Sequence, residues 1–440
     1  MSGSDTICAL ASGPPPAALA VIRVSGPQTQ DIAKEILKRG LPEPRHASLD
    51  RMVDPKGSEI DEVLAIFMKG PASFTGEDVL ELTLHGGAVI VERALAAIIE
   101  AGARLAEPGE FTRRAFEAGR LDLTKAEAIA DLIEAESEAQ LSQALKQYDG
   151  ALADVYDEWR TKLTNILALL EASIDFPDED DAPDQVDTPT LGLLSELQDA
   201  LKEALQSGHI SQRIRDGFRV AIVGAPNAGK STLLNQLAGR EAAIVTDIPG
   251  TTRDIVEIRL MLGGYLVWVS DTAGLRDTSD PVEREGVRRA RRAAEEADVR
   301  IWLYDASESQ SPDVSPGPTD LVIANKVDTN IGVAVSRETI CISAKTGDGV
   351  ATVIDKVKAL ITKLGRSAPA PIITRARHRQ GIEAARASLS DASRLLERGE
   401  GAELAAEEVR RAAQALASLT GDVETEAVLG AVFSQFCIGK

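Results

Sequence analysis

The chain has 440 residues, 44% hydrophobic and 27% charged, a soluble globular composition with room for roughly two to four domains. Its formal net charge of −21 excludes coating of nucleic acid through a global field, so any such contact needs a local basic patch or a partner that supplies one. Three well-separated cysteines, Cys8, Cys341 and Cys437, exclude a disulfide framework and a cysteine-pair metal site, and point to a reducing, cytoplasmic compartment.

No apolar run approaches membrane-spanning length, so no membrane anchor is expected. The N-terminal stretch reads as a strand rather than a targeting segment, because its first arginine is Arg23. Residues 1–118 read as an α+β domain. "DTICALAS", "LAVIRVSG", "EVLAIFMK" and "DVLELTLHG" are β-like runs, while "PQTQDIAKEILKRG" and "VIVERALAAIIEAGA" have helical spacing. "SGPPPAA" is a rigid loop between two strands. "HGG", His85 to Gly87, opens a helix, either as a tight turn or as a donor of backbone N–H groups to a ligand.

Residues 119–215 are helical, with apolar positions three and four apart. The acidic, proline-containing "PDEDDAPDQVDTP" within them reads as a solvated loop rather than a metal site. Residues 216–364 alternate strand and helix, the pattern of a parallel α/β unit. Residues 365–440 are helical and alanine-rich again. The expected architecture is therefore one helical domain built from both flanking stretches, with the α/β domain inserted between them. Cys8 and Cys341 lie in strand-like runs and read as small buried hydrophobes.

The chemistry sits in the inserted domain. In "FRVAIVGAPNAGKSTLLNQLAG" a strand, a glycine loop and a helix follow one another, and Gly224, Gly229, Lys230 and Ser231 fit G-x-x-x-x-G-K-S. Such a loop closes backbone N–H groups around phosphate; Lys230 neutralises β/γ charge and the Ser231 hydroxyl ligates Mg²⁺. Loop residues Asn227, Ala228 and Thr232 complete the phosphate site. "DTAG", Asp271 to Gly274, ends a strand and places Asp271 to hold Mg²⁺ through water. "NKVD" supplies Asn325, Lys326 and Asp328, whose carboxylate takes the guanine N1–H and exocyclic amine. Adenine lacks that donor pair, so GTP is selected. "SAK" (Ser343, Ala344, Lys345) forms the base-edge loop.

The hydrolytic position is unusual. Many small GTPases carry a water-orienting Gln after the D-x-x-G glycine, but Leu275 stands here and no arginine finger is evident. "TDIPGTTRD" is the first switch, with Thr252 as a Mg²⁺ and γ-phosphate ligand. Asn227 and backbone carbonyls of that switch could cage a monovalent cation where an arginine finger otherwise reaches. Only a Ser/Pro loop separates "YDAS" from "DLVIANKVD", where such folds usually carry a helix. That gap favours reliance on neighbouring domains or on a dimer. The basic run Arg284, Arg288, Arg289, Arg291 and Arg292 reads as a solvated face balanced by Glu295 and Glu296, or else as a contact for tRNA or a partner.

"GAPNAGKSTLLNQLAGREAAIVTDIPGTTRD", "DTAGLR", "FTGEDVLEL", "GEFTRRAFEAGRLDLTKAEAIADLI" and the ending "FCIGK" together resemble the MnmE (TrmE) family of tRNA modification GTPases, over nearly the whole chain. The resemblance implies an N-terminal folate-binding domain that forms a homodimer. It also implies a helical domain carrying an inserted G domain, and G domains that pair on GTP in a potassium-dependent manner. With an FAD-containing MnmG-type partner, in a heterotetramer-like complex, the family adds an aminomethyl or carboxymethylaminomethyl group at C5 of the wobble uridine of certain tRNAs. The one-carbon unit comes from 5-formyltetrahydrofolate or a related tetrahydrofolate.

Carried onto this sequence, the K⁺ ligands are Asn227, Thr246, Ile248 and Thr251, and the Mg²⁺ ligands are Ser231 and Thr252. Asp247 and Gly274 join the GTP site, and Glu283 positions the attacking water. Arg253 and Arg276 match switch arginines with structural or dimer roles. Folate falls on Arg23, Glu81, Arg120 and Lys440: a carboxylate for the pterin N–H pair and cations for the anionic tail. The loop "SGPPPAALAVIRVSG" departs from the family's Gly/Arg-rich pattern, which puts its folate contacts in doubt. Cys437 stands four places from the end, but Gly439 and a terminal Lys fit a prenylation box poorly. The resemblance instead tucks this tail into the folate pocket, where Cys437 is either catalytic or merely packed. The rival reading is a ribosome-assembly or RNA-binding GTPase switch without modification chemistry; against it, no basic G-x-x-G module follows the G domain. A GTP-gated scaffold with no chemistry of its own is the third class.

Overall fold

The computed structural model describes the chain except residues 1–4, 176–186, 240–242, 245–256, 272–291, 293, 309–315, 330–338, 367–372, 400, 422–425, 435, 437 and 440. It divides into two compact units, Met1–Ala130 with Leu416–Lys440, and Asp131–Ala415.

The first unit is built on a six-stranded sheet ordered β3-β4-β5-β2-β1-β6. Its strands are β1 (Ile7–Leu10), β2 (Leu19–Ser25), β3 (Ala47–Val53), β4 (Glu59–Met68), β5 (Val79–His85) and β6 (Arg104–Leu105). All neighbours are antiparallel except β1 and β6. Alternation decides the two faces. Ile22, Val24, Leu80, Leu82 and Leu84 point to one side and pack against Ile32 and Ile36 of α1 (Thr29–Ile36) and Ala94 and Ile98 of α2 (Ala88–Glu100). Between them, Arg23 and Glu81 are direct cross-strand partners on the other face. The α+β expectation holds, but β3, β6 and α3 (Glu110–Glu117) add to the elements read from the sequence.

The "HGG" segment resolves toward a packing role. A Cβ on Gly86 would lie 2.4 Å from the Ala17 carbonyl oxygen, so this glycine lets the proline loop pack against the end of β5. Opposite, α12 (Glu426–Phe433) and α4 (Leu123–Glu134) share a small core of Leu123, Ala126, Val432, Phe433 and Phe436.

Arg114 of α3 lies 8% exposed in a charged knot. Its guanidinium donates to the Asp5 carbonyl and carboxylate, to Glu77 and to Glu110, at 2.9–3.2 Å. Arg104 bridges Asp5 and Glu110 from the other side. The Arg104 hydrogen bond holds the Asp5 carboxyl below its usual range. Burial pushes Glu110 upward, but hydrogen bonds led by Arg104 outweigh it and the carboxyl is lowered.

In the second unit the long helical run divides. Ser137 caps α5 (Glu138–Tyr148) with a capping box closed by Gln140, and Gly150, at φ 104°, precedes α6 (Ala151–Asp175). Helix α7 (Asp187–Asp216) leads through Gly217 into β7 (Phe218–Val223). The second sheet is ordered β13-β12-β11-β7-β10-β9-β8. Here β8 is Ala243–Ile244, β9 Glu257–Leu262, β10 Tyr265–Asp271, β11 Val299–Asp305, β12 Asp320–Asn325 and β13 Ile340–Cys341. Strands β10, β7, β11, β12 and β13 run parallel, and β9 and β8 add antiparallel. Helices α8 (Lys230–Ala238) and α9 (Val350–Arg366) contribute Leu233, Leu237, Val353 and Ile361 to this sheet's core. Helices α10 (Ala376–Glu397) and α11 (Ala402–Thr420) complete the described helices.

One cysteine departs from expectation. Cys8 is fully buried and its thiol is pushed up to about 11 by burial, but Cys341 is exposed. The reason is topological: β13 is a two-residue strand at the sheet edge. No helix among the described residues is long and apolar enough to cross a membrane.

Replacing Arg114 with Met should cost about 3 kcal/mol, because three carboxylates lose their shared partner in a partly buried site. Urea unfolding of the full chain checks this. The folded-state values of Asp5 and Glu110 lie below the unfolded ones of 3.8 and 4.5. Their stabilisation is therefore complete above those values and disappears as pH falls through the lower folded-state ones. Wild-type stability should drop steeply with acid there, and the Arg114→Met drop should be shallower.

Candidate guanine-nucleotide site

The site forms at the carboxyl ends of parallel strands, where a central strand hands its chain to a loop and then a helix. Strand β7 ends in Val223, and the phosphate loop runs from Gly224 to Gly229 before α8 starts at Lys230. Two glycines are fixed by contact. A Cβ on Gly224 would stand 2.1 Å from the Leu303 carbonyl oxygen of β11. One on Gly229, at φ 97°, would stand 2.2 Å from the Asn325 side-chain nitrogen. No larger residue fits either position without moving backbone or a buried amide. Asn227 is exposed in the left-handed region at φ 64°, and Ala228 is buried beneath the loop.

Lys230 is 6% exposed, and its ammonium donates to the carbonyls of Gly224 and Ala225, both at 3.0 Å. Burial pushes its pKa down, partly offset by the nearby Asp271 carboxylate. Beside it the Ser231 hydroxyl donates to Asp271 Oδ2 at 2.5 Å. Asp271 is 5% exposed, and its Oδ1 is buried without a hydrogen-bond partner among the described residues. The Ser231 hydroxyl, next in sequence to the phosphate-loop lysine, and the half-satisfied Asp271 carboxylate it touches are a fitting donor set for a hard cation such as Mg²⁺. Thr232 follows on α8, exposed at the surface.

The base-binding end is joined to the phosphate end by one side chain. Asn325, 2% exposed at the end of β12, donates its amide to the Ala228 carbonyl at 2.7 Å and accepts the Ala344 N–H at 2.9 Å. Lys326, also left-handed at φ 65°, pairs with Asp305 at 2.6 Å. Burial of Asp305 works to raise its pKa, but the Lys326 and Ser307 hydrogen bonds hold the carboxyl below the usual range. Asp328 is exposed, as a purine-edge acceptor requires, and so is Lys345, while Ser343 and Ala344 are buried under the loop. The contribution of Asp305 was missed in the sequence, although "YDAS" marked the strand end that carries it.

Thr246, Asp247, Ile248, Thr251, Thr252, Gly274 and Glu283 lie outside the described residues, as do Arg253, Leu275 and Arg276. The basic run does too, except Arg292, whose guanidinium pairs with Glu296 at 2.7 Å.

A second candidate site lies in the first unit. Arg23 donates Nε and Nη2 to the same oxygen of Glu81, at 2.9 and 2.7 Å. Its guanidinium stands 5.4 Å from the Phe74 ring centre and 5.7 Å from that of Phe111, within cation–π range. The stem of Arg120 lies near Gly76 of the same loop as Phe74: a Cβ there would be 3.8 Å from the Arg120 Cγ. The fold thus brings Arg23 and Glu81 together and places Arg120 on the adjoining loop. The pairing was not foreseen, and neither were the two rings, although Phe74 and Phe111 stand inside quoted segments. Gly439, at φ 96°, packs on the end of β1, where a Cβ would be 2.1 Å from the Leu10 carbonyl oxygen. Cys437 and Lys440 lie outside the described residues.

A strand–loop–helix phosphate cradle, a carboxylate and hydroxyl beside it, and an Asn-anchored base loop on one parallel sheet define a P-loop GTPase. Residues 6–120 match the family model "GTP-binding protein TrmE N-terminus", and residues 123–437 match "MnmE helical domain". A tRNA modification GTPase MnmE of Hyphomonas neptunium is 53% identical over 441 residues, covering 100% of both chains. One of Phenylobacterium zucineum is 48% identical over 99% of this chain and 100% of its own. Among solved structures, a variant of Aquifex aeolicus Era bound to GDP and AlF4⁻ is 30% identical over 32% of this chain and 56% of its own, with a TM-score of 0.27. The chain belongs to the MnmE family of tRNA modification GTPases.

Removing the Asn325 side chain should loosen both ends of the site at once. Asn325→Ala deletes two buried hydrogen bonds worth about 1 kcal/mol each. Its melting temperature should fall, and its GDP affinity, read by fluorescent-nucleotide titration, should drop at least about tenfold.

Proposed function

We propose that the chain is a GTP hydrolase that acts in modification of the wobble uridine of tRNA. The observation that carries this reading is the joined phosphate and base loops, in a chain of this family. Lys230 neutralises the β/γ oxygens, and the helix start of α8 favours the anion. Ser231 and Thr252, with Asp271 through water, hold Mg²⁺, which when bound screens charge on the phosphates. Asn227, Thr246, Ile248 and Thr251 hold K⁺, in the place an arginine finger occupies elsewhere. Glu283 positions the attacking water, a task Leu275 cannot perform. Asp247 and Gly274 complete the nucleotide contacts.

In the first unit, Arg23, Glu81, Arg120 and Lys440 bind 5-formyltetrahydrofolate or a related tetrahydrofolate. The Arg23–Glu81 pair supports this: one Glu81 oxygen is taken by Arg23, and the other can accept from a pterin N–H. Phe74 beside it is partly exposed and offers an aromatic edge or face to a flat ring, while the fully buried Phe111 backs the Arg23 guanidinium. The homodimer is supported by the same sheet face, where Leu19, Leu49 and Leu64 are 59%, 56% and 38% exposed. The protein works in the cytoplasm with tRNA and an FAD-containing MnmG-type partner, and transfers an aminomethyl-type group to uridine C5. Its domains are the N-terminal residues 1–118, a helical domain from 119–215 and 365–440, and the G domain at 216–364.

Four measurements test this. GTP turnover should be much faster in K⁺ than in Na⁺ at equal ionic strength; equal rates count against the cation site. Glu283→Ala should keep nucleotide affinity and lose turnover, and retained turnover removes Glu283 from catalysis. Mass spectrometry of tRNA from a strain lacking the gene should show unmodified wobble uridine, restored by the wild-type chain. Normal modification there, or no formyl-folate binding to the full chain, would favour the RNA-binding switch or the scaffold.

A further inference from the structure

The second unit holds a polar cleft of about 500 Å³ whose lining includes none of the nucleotide-motif residues. It lies where the turn between α4 and α5, the end of α7 and the β9–β10 hairpin meet. Three links join them. The Ala139 N–H donates to the Gly264 carbonyl in the hairpin turn at 3.1 Å. The Gln140 side chain donates to the Arg215 carbonyl at 2.7 Å while its own oxygen accepts the N–H groups of Glu136 and Ser137. Glu136 forms an ion pair with Arg259 of β9.

Arg259 is 13% exposed at its side chain and lies 4.8 Å over the ring of its cross-strand partner, Trp268 of β10. The Trp268 indole N–H donates to the Asp216 carbonyl at 3.0 Å, at the passage from α7 into β7. Gly217 is required there, since a Cβ would stand 2.6 Å from the Trp268 ring. Asp131 on α4 receives both Arg215 and Arg375, at 2.8 and 2.7 Å. The hairpin is thus held to the helices by a backbone hydrogen bond, an ion pair and the Trp268 indole N–H, while the Gln140 amide ties the α5 start to α7.

Its position in the chain gives this joint a consequence. β9 begins five residues after Thr252, and β10 ends at Asp271, the acceptor for Ser231. Trp268 is three residues from Asp271, about 10 Å along a strand. Any shift of the hairpin therefore moves the stems of both nucleotide-sensing segments, and Asp271 directly.

We propose that Glu136, Arg259 and Trp268 form a positioning element for GTP hydrolysis, through which the α4–α5 turn sets the placement of Asp271 and the first-switch stem. None of the three belongs to a nucleotide motif. The inference rests on the reading of the chain as a GTP hydrolase. The test uses the full chain in K⁺ and Mg²⁺, with turnover, GTP and GDP affinity, and melting temperature measured for wild type, Glu136→Gln, Arg259→Ala and Arg259→Lys.

Glu136→Gln and Arg259→Ala should lower kcat about three- to tenfold, with affinities within about twofold of wild type. Arg259→Lys keeps the charge for Glu136 and Trp268 and should recover most of the lost turnover. Unchanged or increased kcat in Glu136→Gln and Arg259→Ala overturns the inference. So does a fall in kcat that merely tracks a fall in melting temperature and is not relieved by Arg259→Lys. If the wild type itself fails to turn over GTP, the hydrolase reading fails instead.

Discussion

A single buried carboxamide ties the nucleotide site together. The Asn325 side chain cannot be left unsatisfied at 2% exposure, and its two hydrogen bonds reach Ala228 in the phosphate loop and Ala344 in the base loop. Those loops follow different strands and are over a hundred residues apart. Gly229 must be a glycine because this amide sits where its side chain would be. The purine end and the phosphate end are thereby held at a fixed separation before any ligand arrives, which lowers the ordering cost of binding.

Around that anchor the site stores charge rather than neutralising it. The Lys230 ammonium rests on two carbonyls of its own loop, and the buried Asp271 shares one oxygen with Ser231. A phosphate would give the lysine a stronger partner than carbonyls, and a divalent cation would give the free carboxylate oxygen a ligand role. Binding of both would offset the cost of holding these groups in the protein. The first unit handles charge the other way. Its Arg114 knot is closed among its own residues and serves the fold, while Arg23 and Glu81 stay partly open beside two rings.

The described part of the nucleotide site was legible because its motifs are local: short segments, each at the end of a strand, whose residue types are dictated by phosphate and purine chemistry. The fold class followed from periodicity for the same reason. What escaped reading was non-local. Glu136 and Arg259 are far apart in sequence, and no spacing rule connects them; Arg23 and Glu81 were placed in one site only by the family resemblance, and their direct pairing depends on the β2–β5 register. Some misses were local and readable. The capping box at Ser137 and Gln140 marks a helix start, yet the apolar spacing on either side suggested one continuous helical run. Cys341 sits in a strand-like segment, but burial depends on strand order, and the edge position of β13 leaves it in solvent. The short β6 and the strand "ASLDRMV" gained their pairing from neighbours more than from their own pattern.

A phosphate cradle joined to an Asn-anchored base loop lies in the second unit, and a partly open Arg–Glu pair beside two rings lies in the first. The cradle should hydrolyse GTP and select guanine. The most direct measurement is phosphate release by the purified full chain given GTP or ATP at equal concentration, in K⁺ and Mg²⁺. GTP should be turned over while ATP stays at the enzyme-free rate. Comparable release from ATP, or none from GTP, would contradict it.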